Sequence, residues 1–267
     1  MSEVPENFLF SQSNLQTFAY CRRRFYLRFV KRLVWPAKLH SPEHEQDLRA
    51  GTFFHQLIHQ HFLGFDQDSL VRQASQDNDP RILQWLSAFL QSCFSRLEGE
   101  IFPETSFTIR SGSHLLTAQI DLLQIKTDQH IIIYDWKTSR KLPSVETIKS
   151  QFQSQVYPVV IAFRLPLNKY LPISMVYWEA NYPDQPIKLS FRESDLQQAK
   201  TALVQQMDEI CSLQADEFYR TAEIRRCDWC EYRSYCDRGT RPETDLSTDN
   251  IHDYEQIIPE GGTEPWG

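Results

Sequence analysis

Residues 120–139 read IDLLQIKTDQHIIIYDWKTS. Two short runs rich in Ile and Leu flank the polar Thr127-Asp128-Gln129, a pattern that predicts two strands joined by a three-residue turn. Each run carries an aspartate where a buried strand should avoid one. With the turn centred on Asp128, Lys126 faces His130 and Asp121 faces Asp135, which sets the two carboxylates about 5 Å apart at Cβ. Lys137 projects on the same face as Asp135, because side chains alternate along a strand. Like charges in that position repel, and a shared divalent cation resolves the conflict. Carboxylate oxygens suit Mg²⁺ or Mn²⁺, and the lysine suits a developing negative charge. A surface hairpin with solvated acids has the same spacing, so the pattern alone leaves both readings open.

The rest of the pattern alternates between helical and strand periods. Residues 11–34 read as a short helix and a basic helix, with Ser11 or Ser13 as N-cap. Residues 35–49 read as a polar connection, 48–65 as a helix, and 68–98 as largely helical with a break near Pro80. Residues 104–125 read as two strands around Ser111-Gly112-Ser113. Residues 146–165 read as an amphipathic helix that Pro158 should kink. Two more strands follow, at 173–180 and 186–191, then a helix over 193–220. This order predicts a mixed α/β fold, a central sheet flanked by helices. No phosphate-binding loop of the G-x-x-x-x-G-K-[ST] type is present, which argues against ATP hydrolysis.

Charge changes the picture by where it falls. The chain has 267 residues and a net charge of −7. Residues 240–267 hold seven acids and one base, a net of −6, which leaves −1 for the 239 residues before them. That segment reads as an acidic, disordered tail, and residues 1–239 as one domain with a core at about 50–220. Within the near-neutral part, CRRRFYLRFVKR gathers Arg22, Arg23, Arg24, Arg28, Lys31 and Arg32 among Phe25, Tyr26 and Phe29. A charge run is usually a solvated helix face, but bases interleaved with aromatics also suit a nucleic-acid backbone. No apolar run approaches the roughly 20 residues that span a bilayer, and the N-terminus lacks a signal-peptide pattern. The expectation is a cytoplasmic protein with no membrane partner.

Six cysteines are present, and three fall in CDWCEYRSYC as C-x2-C-x5-C. An intracellular chain disfavours disulfides, whereas this spacing suits thiolate ligation of a metal centre. Cys93 lies in an apolar periodic run and Cys211 ends the helical run 196–211, and both read as core cysteines. Cys21, beside three arginines, is the fourth ligand with Cys227, Cys230 and Cys236. Four thiolates suit zinc or an iron–sulfur cluster. The one-plus-three arrangement favours a [4Fe–4S] cluster over zinc, since zinc ribbons come as two C-x2-C pairs. His55 and His59 are four apart and could pair on zinc, but no third ligand of suitable spacing follows.

Together these residues resemble the PD-(D/E)XK nuclease superfamily, in the RecB-like branch that includes AddB-type recombination proteins and CRISPR-associated exonucleases. The likeness covers most of residues 11–239. GTFFH matches a G-x-x-x-H helix, which implies His55 as a metal ligand. AQIDLL carries the metal aspartate Asp121, and DWK matches D-x-K, with Asp135 as ligand and Lys137 as catalytic lysine. QSQVY matches Q-x-x-x-Y, here Gln153 and Tyr157, and CRRRFYL resembles the N-terminal cysteine segment. Glu104 is a candidate for a further acidic position. Pro158 directly after the motif tyrosine departs from the pattern.

The resemblance implies a restriction-endonuclease-like core whose N- and C-terminal segments are joined by the cysteine-ligated cluster. It implies phosphodiester hydrolysis with Mg²⁺ or Mn²⁺ on His55, Asp121, Asp135 and the Trp136 carbonyl, with Gln153 and Tyr157 as positioning groups. Arg22, Arg23, Arg24 and Arg28 would track the phosphates of DNA, single-stranded or with free ends. The setting would be repair, recombination or CRISPR adaptation, with a helicase or adaptation partner. The competing expectations are a catalytically silent iron–sulfur subunit that only binds DNA or assembles, and a redox sensor.

Overall fold

The computed structural model describes residues 2–34, 42–165, 172–228 and 230–239. The acidic tail at 240–267 and part of the polar connection, 35–41, lie outside the described residues. In chain order the elements are β1 (Leu9–Ser11), α1 (Gln12–Tyr20), α2 (Arg22–Phe25), a π-turn at Tyr26–Val30 and α3 (Pro42–Phe62). Next come α4 (Gln67–Gln76), α5 (Pro80–Gln91), β2 (Glu100–Ser111), β3 (His114–Ile125) and β4 (Ile131–Lys137). The chain then forms α6 (Val145–Ser150), α7 (Phe152–Arg164), β5 (Ile173–Glu179), β6 (Ile187–Phe191) and α8 (Glu193–Ser212). It divides into two compact units, one of residues 1–39 with 205–267 and one of residues 40–204.

In the larger unit, β2 and β3 form an antiparallel hairpin closed by Gly112, whose φ of 64° is open to glycine at no steric cost. β3 pairs antiparallel with β4 from Ile125↔Ile131 to Leu122↔Tyr134. The turn at 127–129 is closed by the Lys126 N–H on the His130 carbonyl at 3.0 Å. This is the register that the hydrophobic pattern predicts. β4 then pairs parallel with β5, α6 and α7 forming the crossover, and β5 pairs antiparallel with β6. Pro80 stands in the first turn of α5, where its missing N–H costs nothing, and Asp79 caps that helix. α7 continues through Pro158 to Arg164.

Alternation along the strands sorts the side chains. Tyr134, Trp136, Val176 and Trp178 face one layer and pack against Phe54, Leu57 and Ile58 of α3 and Trp85, Leu86 and Phe89 of α5. Each such side chain contributes about 1.5–3 kcal/mol by leaving water. α7 packs against β2, β3 and β5, and its Val156, Val159 and Val160 are fully buried.

The smaller unit joins the two ends of the chain. Tyr26 stacks on Phe218 with ring centroids 4.7 Å apart, and Phe18 meets Phe25 edge-on at 5.5 Å. The Tyr232 hydroxyl donates to the Leu33 carbonyl at 2.9 Å, and Arg226 Nη1 donates to the Tyr20 carbonyl at 2.9 Å. Ser11 caps α1 in a reciprocal box with Asn14. The last long helix stops at Ser212 rather than at 220. There the Gln214 N–H turns to the Glu217 side chain at 2.7 Å, a local bond that competes with the helical one. Among the described residues, no helix is long and apolar enough to cross a membrane.

Candidate active site

Three acids meet across three strands. The β2–β3 ladder runs from Pro103↔Leu122 to Thr105↔Ile120, so Glu104 stands opposite Asp121. Its φ of 43° is unusual for a residue with a Cβ. One step beyond Leu122↔Tyr134 sets Asp121 opposite Asp135, and there the side chain replaces the ladder: the Trp136 N–H donates to Asp121 Oδ2 at 2.8 Å. Trp136 thus offers its N–H to this site while its ring is buried in the α3–α5 layer. His55 enters from α3 with Nδ1 at 3.5 Å from Asp121 Oδ2. Ligand atoms of His55, Glu104 and Asp121 all lie within 4.8 Å of one another. One imidazole nitrogen and carboxylate oxygens form a donor set that fits Mg²⁺ or Mn²⁺.

Asp135 is 1% exposed and held from two sides. Gln153 Nε2 of α7 donates to its Oδ1, and Lys137 Nζ lies 2.7 Å from its Oδ2. Tyr157, one turn on from Gln153, is buried and hydrogen-bonds to that glutamine. The structure therefore brings together His55, Asp121, Asp135, Lys137, Gln153 and Tyr157, with Glu104 added to the group.

Burial sets the ionisation. It pushes Glu104 up to about 7, reinforced by the Asp121 charge. Asp135 is pushed up to about 6 by burial, against the pull of Lys137. Asp121 is raised by burial, with Lys137 and the Trp136 N–H opposing. His55 is lowered to about 4 by burial and by the Lys137 charge, so its imidazole is neutral at pH 7 and free to ligate. Crowded acids with raised values are what a bound cation would relieve.

Two partners of the site are absent from the sequence motifs. Glu179 closes β5 in register with Lys137 and is 1% exposed, although six apolar or small residues precede it in the strand. A buried carboxylate ending an apolar strand is the signal that marked Asp135, and it could have marked Glu179 as well. Ser139 is the other, donating its N–H and hydroxyl to the Glu179 oxygens at 3.1 Å each.

In the smaller unit, Cys21, Cys227, Cys230 and Cys236 line one cavity with Arg24, Arg220, Arg233 and Arg238. Among the described residues, no carboxylate lines it. Burial pushes the Cys230 thiol up to about 12, and Arg238 Nη1 donates to Cys227 Sγ at 3.3 Å. Among the described residues, no three cysteine sulfurs lie within 4.8 Å of one another. Cys211 is half-buried, but Cys93 is exposed, against the expectation of a core thiol. The reason is that α5 ends at Gln91, so Cys93 begins a 3₁₀ turn and leaves the apolar face.

The arginine run divides by partner. Arg24 is buried and lies 2.9 Å from Glu231, which also takes Arg28 at 3.3 Å. Arg22 pairs with Glu209 and stacks over Phe18 and Tyr219. Arg23 lies over the Tyr26 ring.

Residues 9–237 match the model of the PD-(D/E)XK nuclease superfamily. Among solved structures, the fold is similar to that of a protein from Eubacterium rectale named "Putative exonuclease". The two share 12% identity and a TM-score of 0.53 over 92% of this chain and 93% of that one. The protein named SSO0001 aligns at 15% identity and a TM-score of 0.39, over 89% of this chain and 90% of that one. No curated protein matches the chain.

Proposed function

Because the chain belongs to the PD-(D/E)XK nuclease superfamily, we propose that it is a metal-dependent deoxyribonuclease acting on single-stranded DNA or DNA ends. The observation that carries this reading is the row Glu104–Asp121–Asp135, flanked by His55 and Lys137. His55, Glu104, Asp121 and Asp135 would hold Mg²⁺ or Mn²⁺, with the Trp136 carbonyl as a further ligand. When bound, the cation would acidify a water and polarise the scissile phosphate.

The chain's own groups do the rest. Gln153 fixes the Asp135 carboxylate in one orientation, so the acid need not reorganise. Lys137, drawn to Asp135, meets the negative charge that develops on the phosphate. Neutral His55 leaves a lone pair for ligation rather than a repelling proton. Tyr157 packs behind Gln153 and keeps that side of the site dry. Arg23 would meet phosphates, while Arg22, Arg24 and Arg28 support that surface from their ion pairs.

The four cysteines would hold a [4Fe–4S] cluster with a structural role. Four thiols that line one cavity together with Arg24, Arg220, Arg233 and Arg238 support an anionic, thiolate-bound centre. Such a nuclease, of the RecB-like type, would act in repair, recombination or CRISPR adaptation beside a helicase or adaptation complex.

The test is Mn²⁺-dependent cleavage of end-labelled single-stranded DNA by anaerobically purified protein, beside Lys137→Ala. Cleavage by the wild type and loss in the variant is the expected result, and the product ladder gives polarity. A protein that binds DNA, keeps its metal centre and never cleaves would instead be a silent binding subunit.

A further inference from the structure

The segment after Lys137 is clamped from the end of β5. The Ala180 N–H donates to the Lys137 carbonyl at 2.8 Å. Asn181 Nδ2 donates to the carbonyls of Ser139 at 2.9 Å and Thr138 at 3.3 Å, and the Tyr182 hydroxyl donates to that of Arg140 at 3.0 Å. At the head of the clamp stands Glu179, with both carboxylate oxygens on Ser139. Parallel register sets Glu179 beside Lys137 on the same face of the sheet. Glu179, like Asp135, lies outside the His55–Glu104–Asp121 group.

Two carboxylates thus neighbour Lys137: Asp135 on its own strand, 2.7 Å from Nζ, and Glu179 in register on the next strand. The two differ in what else claims them. Asp135 faces the acids that a cation would join, whereas both Glu179 oxygens are already taken by the chain. We propose that Glu179 is a positioning residue for the nuclease reaction, the counter-charge that keeps the Lys137 ammonium at the site when a cation engages Asp135. A second task follows from the same contacts: Glu179 fixes the backbone turn at Ser139 and so the direction in which Lys137 leaves its strand. This rests on the nuclease reading above, in which Lys137 serves the phosphate.

Glu179→Gln tests it, because a glutamine keeps the shape and can still accept from and donate to Ser139 while losing the charge. Ser139→Ala does the converse, keeping the charge and removing one hydrogen bond. Both are compared with wild type and Lys137→Ala under Mn²⁺ on end-labelled single-stranded DNA. The pH is held well above 7, the value to which burial pushes the Glu179 carboxyl. Melting temperature and Mn²⁺ affinity by calorimetry accompany the kinetics.

The expected result is a loss of tenfold or more in kcat for Glu179→Gln, with KM, Mn²⁺ affinity and melting temperature near wild type. Ser139→Ala should lose less than threefold. Wild-type kcat in Glu179→Gln, or equal losses in the two variants, overturns the positioning role. So does a loss that appears as Mn²⁺ affinity or melting temperature. If Glu179→Gln does not fold, Glu179→Asp keeps the charge and must retain more kcat than Glu179→Ala. A wild type that does not cleave, or a Lys137→Ala variant as active as wild type, instead removes the nuclease reading beneath the proposal.

Discussion

In the larger unit the acids sit on adjacent strands and each has a protein partner. Asp121 has the Trp136 N–H, and Asp135 has Gln153 and Lys137. In the smaller unit the cysteines come from chain ends about two hundred residues apart and line a cavity walled by arginines. The first site has its shape from sheet register and is held by hydrogen bonds that need no cation. The second is assembled by long-range packing, and a centre bound to its thiolates would add to what holds the two chain ends together. Removing a bound group should therefore mean loss of activity in one unit and loss of fold in the other.

The sharpest break of that contrast is Lys137→Ala. Cleavage should fall by about a thousandfold or more while DNA binding holds, which kinetics and filter binding would measure. Cys230→Ser should do the reverse. On the proposed cysteine ligation it should fail to hold a metal centre, seen by absorbance and metal analysis, and lower the unfolding free energy by roughly 2–5 kcal/mol or abolish soluble expression. If Cys230→Ser stays as stable as wild type, the two sites do not differ as described.

Arg24→Ala comes next. It leaves Glu231 in a site where only 14% of its side chain is exposed, with Arg28 as one cationic partner among the described residues. Breaking a buried pair in this way costs about 3 kcal/mol, less whatever Arg28 recovers, readable by urea unfolding. Arg23→Ala should leave stability alone and weaken DNA binding evenly across sequences, lowering the salt slope by about one.

The smallest effect tests what holds the acid site together. Glu104 and Asp135 have folded values of about 7 and about 6, above their ordinary 4.5 and 3.8. Between about pH 4 and pH 7 the folded state therefore binds more protons than the unfolded one, so stability falls as pH rises through that window. A cation displaces those protons. Mn²⁺ should raise the melting temperature by a few degrees at about pH 8 and by less at about pH 5.5, measured by thermal shift with and without chelator. An increment that does not grow with pH would remove these two acids from the cation's reach.

Short-range pattern carried the acid site further than the cysteine site. The hairpin register that sets Asp121 against Asp135 follows from the Ile/Leu runs and the three-residue turn at Asp128, because the turn fixes how the strands pair outward from it. His55 lies far from the acids in sequence and was legible only through the motif that carries it. Cys93 misled, since an apolar periodic run does not reveal where its helix stops.

By itself the sequence determined the strands, the acids in them, the lysine two positions on and the cysteine spacing, because each is written in side chains a few residues apart. Only the tertiary structure decided which arginines remain to meet a phosphate and which are bound to Glu231 or Glu209. It likewise decided that Glu104 stands opposite Asp121 and that Glu179 lies beside Lys137. These pairings join residues of different strands and distant segments, and their identity depends on register and packing that no local pattern encodes.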